Sequence, residues 1–160
     1  MTDLRRKTFE RAIKLLAAKP RSVAELRERL LQGKGANEDV VNTVISRLQE
    51  YGYLDDERFA FSYASYKVKQ RPVGRRRLER DLKFKKVETD VANEALELVY
   101  AETSEEQLID QAIAKRLRIR GRPKNRLEAK SLFDHLLRQG FQFELVSEKV
   151  RSLTKQIEDE

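Results

Sequence analysis

The sequence predicts an all-α protein: an elongated, curved array of three tandem three-helix, helix-turn-helix-like repeats. Three observations lead there. Apolar residues recur at helical spacing along almost the whole chain. Strand signals are poor, with few alternating β-branched runs, three prolines and no Asn-Gly or Asp-Gly turn. One apolar pattern also returns at a nearly fixed interval. Counted from helix breaks at Gly35, Lys86 and Gly140, apolar side chains stand at the fifth, tenth and thirteenth places: Val40, Ile45, Leu48; Val91, Leu96, Val99; Leu145, Val150, Leu153. The breaks lie 51 and 54 residues apart, the kind of period that marks a helical repeat.

The first repeat is expected over residues 1–54. Phe9, Ile13 and Leu16 give an opening amphipathic stretch. Ser22 with Glu25 forms a capping-box pattern ahead of Leu26, Leu30 and Leu31, and Gly33 and Gly35 end that helix. Asn37 caps a third helix carrying Val40, Val41, Val44, Ile45 and Leu48.

The second repeat is expected over 55–102, opening with Phe59, Tyr63 and Tyr66, continuing through Leu78 and Leu82 to the Lys86-Val87 break, and closing on Val91, Ala95, Leu96 and Val99. The third, over 103–160, opens with Leu108, Ile109, Ala112, Ile113 and Leu117, passes Leu132 and Leu136 to Gly140-Phe141, and ends on Leu145, Val150 and Leu153. Each unit is too small to bury its stripe alone, so neighbours must stack. Short linkers fall near 52–55 and 101–104. At the first, Asp55 is placed to cap the next helix, Leu54 and Phe59 occupy the positions of a hydrophobic staple, and Asp56 with Glu57 favour the positive end of the helix dipole.

Composition limits what such an array can do. Charged residues make up 38% of the chain, against roughly 25% in an average soluble domain, so the core is thin and surface plentiful. With no cysteine there is no disulfide and no thiolate metal site. The N-terminal residues break their apolar spacing with charge, unlike a signal peptide, and no run approaches the ~20 apolar residues of a membrane span. The expectation is a soluble, unprocessed, cytoplasmic protein.

The net charge of +7 is segregated. Residues 67–86 hold ten Lys and Arg against two acids, residues 88–110 hold eight acids and no base, and residues 111–127 hold seven bases and no acid. Segregation of this kind points to an electrostatic partner. On one helix Arg75, Arg76, Arg80 and Lys83 line the side opposite Leu78 and Leu82; on another, Lys115, Arg118 and Arg122 form a line with Arg116 and Arg120 beside it. Such stripes suit a polyanion. Aromatics are sparse within them, Phe84 alone, so base stacking is not indicated. A helix-turn-helix drawn over 22–49 is nearly neutral and reads as core. The acidic block would repel phosphate or dock on a basic protein, and a protein–DNA assembly offers both signs.

Catalytic candidates are few. His135 is the only histidine, with no second histidine or cysteine beside it, and reads as a structural or surface residue. Asp55 and Asp56 occupy adjacent helix-start positions that do not converge, so a cap explains them better than a reactive or metal-binding pair. GKGANEDV at 33–40 has glycines without the rest of a phosphate cradle. The chain reads as a binding protein without catalytic residues, metal or cofactor.

YGYLDDERFAFSY at 51–63, followed by GRRRLERDLKFKKV at 74–87, strongly resembles the signature of the RecX family, regulators of the bacterial RecA recombinase. Leu54, Asp55, Asp56, Arg58, Phe59 and Ala60 match its first half; Gly74, Arg77, Leu78, Asp81, Leu82, Lys85 and Val87 match its second. LFDHLLRQGFQFELVSEKV at 132–150 resembles the family's final unit. Two positions depart from the pattern: Lys86 stands where glycine is usual, which suggests that the helix ends differently or runs on, and Asp81 replaces a common Glu.

The resemblance implies a non-enzymatic modulator of the RecA recombinase filament in DNA repair, recombination and the SOS response; a monomer is expected. It would lie in the groove of filaments on single-stranded DNA and restrain ATPase, strand exchange and coprotease activity, inhibition being the expected sign. Single-stranded DNA, and duplex DNA as a further ligand, complete the partners. Arg75, Arg76, Arg77, Arg80, Lys83, Lys115, Arg116, Arg118, Arg120 and Arg122 are the expected contact residues; Leu54, Asp55, Asp56, Phe59, Ala60, Gly74, Leu78 and Leu82 are assigned to architecture. The rival is an independent basic DNA-binding or architectural protein.

Overall fold

The computed structural model describes residues 2–158, and nine α-helices with no strand account for most of them. In chain order they are α1 (Asp3–Ala18), α2 (Val23–Leu31), α3 (Glu38–Glu50), α4 (Asp56–Gln70), α5 (Arg75–Phe84), α6 (Thr89–Glu102), α7 (Glu105–Arg120), α8 (Arg126–Arg138) and α9 (Phe143–Glu158). Local chemistry sets most of their starts. Ser22 and Ser104 each close a full capping box, with Glu25 and Gln107, while Thr2, Asn37, Asp55 and Asn125 accept from backbone N–H groups in the first turn.

The buried apolar side chains form three separate clusters. The first joins Ala12, Leu26, Leu30, Val41, Val44, Ile45, Leu48 and Leu54 from α1–α3. The second gathers Phe59, Ala60, Leu78, Leu82, Leu96 and Val99 among others from α4–α6. The third centres on Leu108, Ile109, Leu136, Phe141 and Val146 from α7–α9. Ile45, Leu96 and Val150, the tenth places of the periodic pattern, are all buried. The opening stretches are looser than expected: Ile13 is 37% exposed and Tyr66 59%. The protein exposes 10744 Å², against about 8,300 Å² for a compact monomer of this mass, as a thin array of small cores requires.

Two joints hold the clusters together, and they share one plan. At the first, the Val23 N–H donates to Asp56 Oδ1 (2.8 Å) and the Ser22 hydroxyl donates to the Lys85 carbonyl (2.6 Å). At the second, the Arg75 N–H donates to Glu105 Oε1 (2.6 Å) and the Gly74 N–H donates to the Gln139 carbonyl (2.8 Å). In both, a carboxylate at the first position of one helix caps the start of an earlier helix, and that earlier helix's N-cap residue reaches the C-cap carbonyl of a later one.

Closeness of approach distinguishes them. At the second joint backbone meets backbone: a Cβ on Gly74 would lie 2.2 Å from the Gly140 carbonyl carbon, and one on Gly140 would lie 2.4 Å from the Arg77 nitrogen. At the first joint the Ser22 side chain spans the gap, which leaves room for a side chain at Lys86. Helix α5 does not run on: Lys86 takes a left-handed conformation (φ 61°), with Lys86 N–H donating to the Lys83 carbonyl and Val87 N–H to that of Leu82. Its ammonium pairs with Glu28 at 2.6 Å. Val68 and Tyr100 pack against both the second and third clusters, and the Tyr100 hydroxyl donates to the Val73 carbonyl at 2.9 Å.

Candidate functional site

The two basic faces survive folding, with changes. On α5, Leu78 and Leu82 are fully buried while Arg76, Arg80 and Lys83 are exposed on the opposite side. Arg75 is drawn away from that face by Glu79, whose Oε1 accepts from its Nε at 3.0 Å. Arg77 is partly buried and donates to Gln139 Oε1 at 3.3 Å, which ties it to the second joint. Phe84, at the end of the same helix, is 86% exposed and stands beside Lys83 in sequence.

On α7, Lys115, Arg118 and Arg120 are exposed and Arg116 is half-buried, while Leu108, Ile109, Ala112 and Ile113 face the core. The expected helical line through Arg122 is corrected: α7 stops at Arg120, because Gly121 turns the chain at φ 76° and Pro123 follows. Arg122 therefore leaves the helix axis and extends the basic surface from a loop. Folding also adds cations that sequence spacing had not grouped with this set. Arg71, just past α4, lines a cleft together with Lys115, Arg116 and His135, and Arg138 acts on the same imidazole.

Electrostatics follow from this crowding. Partial burial lowers the affinity of His135 for a proton, and the positive charges of Arg116, Arg138 and Arg120 lower it further. Arg116 is itself held below its usual range by desolvation and by Arg120 and Arg138. Like charges oppose one another here, and a bound anion would offset that repulsion.

The acidic block is divided by the fold. Glu105 caps α5, and Glu106 and Asp110 hold the Lys149 ammonium at 3.1 and 3.0 Å, raising its proton affinity. Asp90, Glu94, Glu97 and Glu102 remain exposed on α6, between the two basic helices in sequence.

Asp55 and Asp56 separate in the same way. Asp55 Oδ1 accepts from Glu57 and Arg58 N–H groups at 3.0 and 3.2 Å, whereas Asp56 turns back to α2. Each aspartate serves a different helix, and nothing draws them to a common point. Leu54 is buried in the first cluster and Phe59 and Ala60 in the second, so the signature residues straddle the first joint. Among the described residues, no group of three or more His, Cys, Asp and Glu side chains is placed to hold a metal, and no helix is long and apolar enough to cross a membrane.

Comparison with known proteins bears on this architecture. The family model described as the first three-helix domain of RecX matches residues 9–48, and that described as the second matches residues 55–96. Relatives named Regulatory protein RecX include that of Bacillus velezensis, 32% identical over 159 residues that cover 97% of this chain and 58% of that one. That of Treponema pallidum is 37% identical over 110 residues, 69% of this chain and 66% of the relative. That of Prosthecochloris aestuarii is 29% identical over 148 residues and covers 92% and 94%. The chain spans 53% and 58% of two of the longer Bacillus relatives. A crystal structure of RecX from Lactobacillus salivarius superposes with a TM-score of 0.82 over 99% of both chains at 18% identity, which speaks for the fold. Two matched domain models that together take in half the chain, and a shared architecture, establish that this chain belongs to the RecX family.

Proposed function

We propose that the protein regulates a RecA recombinase by binding RecA filaments on single-stranded DNA, lying in their groove and restraining ATPase, strand exchange and coprotease activity. It acts as a monomer in the cytoplasm, without cofactor or catalysis. The observation that carries the proposal is the alternation of charge along one array: basic α5, acidic α6, and an α7 that opens on acids and closes on Lys115, Arg116, Arg118 and Arg120. A protein–DNA filament presents phosphate and protein side by side, and such a partner uses both signs. Membership of a family whose relatives are named regulatory proteins supports the same function. The division into repeats 1–54, 55–102 and 103–160 belongs to the proposal, and the three separate cores support it.

The test is the single-stranded-DNA-dependent ATPase of the cognate RecA, titrated with this protein from far below equimolar at fixed moderate salt. A fall at substoichiometric ratios is expected. No fall at any ratio, with duplex binding intact and steeply salt-dependent, would replace the proposal with an independent DNA-binding protein.

A further inference from the structure

Where the end of α4 meets α7 and α8, cations gather around an open cleft of about 170 Å³ lined by Arg71, Pro72, Lys115, Arg116, His135 and Gln139. Arg120 and Arg138 stand close enough for their charges to act on His135. Among the described residues, none of Arg71, Lys115, Arg116, Arg120 and Arg138 makes an ion pair. No carboxylate lines the cleft. Glu128 lines the adjoining cavity with Arg116 and Arg120, and its carboxylate accepts from the Lys124 N–H at 2.7 Å.

Five cations without ion pairs, drawn from three chain segments, repel one another, and a bound anion offsets that repulsion. Guanidinium groups present paired N–H donors matched to phosphate oxygens. The cations also continue outward on Arg118, Arg122, Lys124 and Arg126, as suits a ligand that carries a charge at every step along its length. We propose that this cleft grips one phosphodiester of a single nucleic-acid strand, with Arg71, Lys115 and Arg116, which line it, as its ligating cations and Arg120 and Arg138 adding to its positive field. The site deepens the filament-binding function and rests on it for its biological setting.

His135 makes the site self-reporting. Every charge that faces it is positive: Arg116 and Arg120 from α7, Arg138 from α8, with Arg71 and Lys115 in the cleft. In the free protein these charges and partial burial favour the neutral imidazole. A phosphate offsets them and favours the imidazolium, so binding takes up a proton. Affinity is then higher below the bound-state pKa of His135 and falls as pH rises through it.

Because the chain has one histidine, its imidazole protons give one set of NMR signals in the full-length protein. The experiment follows them during titration with a thymidine hexanucleotide, with inorganic phosphate and with a short polyglutamate peptide, while anisotropy of a labelled hexanucleotide measures affinity. With the hexanucleotide, a saturable shift is expected, together with a rise of roughly one unit in the His135 titration midpoint. Arg116→Gln with Arg138→Gln should weaken hexanucleotide binding about tenfold or more, and Lys14→Gln on α1 should leave it unchanged. An oligonucleotide that saturates the protein without moving His135 would place the strand elsewhere and overturn the proposal. So would a response to phosphate or to polyglutamate alone, which would identify a free-anion or a carboxylate site. No recombinase is present, so the outcome is independent of the ATPase titration: loss of filament inhibition with an intact His135 response would sink the filament function and leave this site standing.

Discussion

Asp56 Oδ1 accepts the Val23 N–H across 33 residues at 2.8 Å, and Glu105 Oε1 accepts the Arg75 N–H across 30 residues at 2.6 Å in the same structural role. A helix start leaves its first N–H groups unpaired. Here one of these orphan donors at each joint is satisfied by a carboxylate from another helix, so capping and the joining of clusters are one interaction. The equivalence fixes the orientation of α2 against α4 and of α5 against α7.

Asp56 separates charge from hydrogen bonding. Desolvation raises its pKa above the ordinary value of 3.8, opposed by the Val23 N–H and reinforced by Asp55, Glu25 and Glu88. A carboxyl whose folded pKa is raised penalises the ionised fold above that pKa, and the penalty disappears as pH falls through it. Asp56→Asn keeps an acceptor for Val23 without the charge, and should be neutral or stabilising at pH 7. Asp56→Ala should cost about 1–3 kcal/mol, since it leaves the donor unpaired. Urea denaturation at pH 7 and below pH 4 checks both: any advantage of Asn over Asp must shrink at the lower pH.

Gly140 and Lys86 are equivalent break residues with opposite tolerance. Gly140→Ala places a Cβ 2.4 Å from the Arg77 backbone at φ +92° and should destabilise by more than about 2 kcal/mol. Lys86→Ala keeps a Cβ at a left-handed position already occupied by a non-glycine and removes only the exposed pair with Glu28, for a loss below about 1 kcal/mol. Thermal melts of the two variants should differ clearly; equal losses would refute the difference in approach between the joints.

Asp55→Ala removes the cap of α4 and should cost about 0.5–2 kcal/mol. Filament inhibition measured well below the melting temperature should persist. Abolished binding with an unchanged melting temperature would instead place Asp55 in the contact surface.

Arg76→Glu, Arg80→Glu and Lys83→Glu together reverse the exposed face of α5 without touching its core side. Inhibition of the RecA ATPase should be lost while the far-ultraviolet circular dichroism is unchanged. Arg75 is left out of the set because it serves Glu79 and the second joint. Retained inhibition would remove α5 from the interface.

Tyr63 donates to Asp81 Oδ2 at 2.9 Å, and burial first, then this hydrogen bond, push its pKa up to about 12. A spectrophotometric titration should therefore show one tyrosinate forming near pH 12 that disappears in Tyr63→Phe. That variant should lose about 1 kcal/mol.

The sequence by itself determined the helices, their caps and the periodic core. Ser22 with Glu25, Asn37 and Asp55 find their partners within three residues, and the apolar stripe needs only the helical period. It also showed that charge is segregated and marked which face of α5 is basic. The end of α7 was within reach, since Gly121 and Pro123 are helix stops, but a charge pattern that continued through Arg122 obscured it. Tertiary structure alone decided that Asp56 serves α2, that Glu105, Glu106 and Asp110 are used inside the protein, and that Arg71 and Arg138 join Arg116 around His135. The physical reason is range: a cap or stripe is set by backbone geometry within a turn, whereas contacts spanning 30 to 63 residues exist only once the joints fix how one helix lies on another.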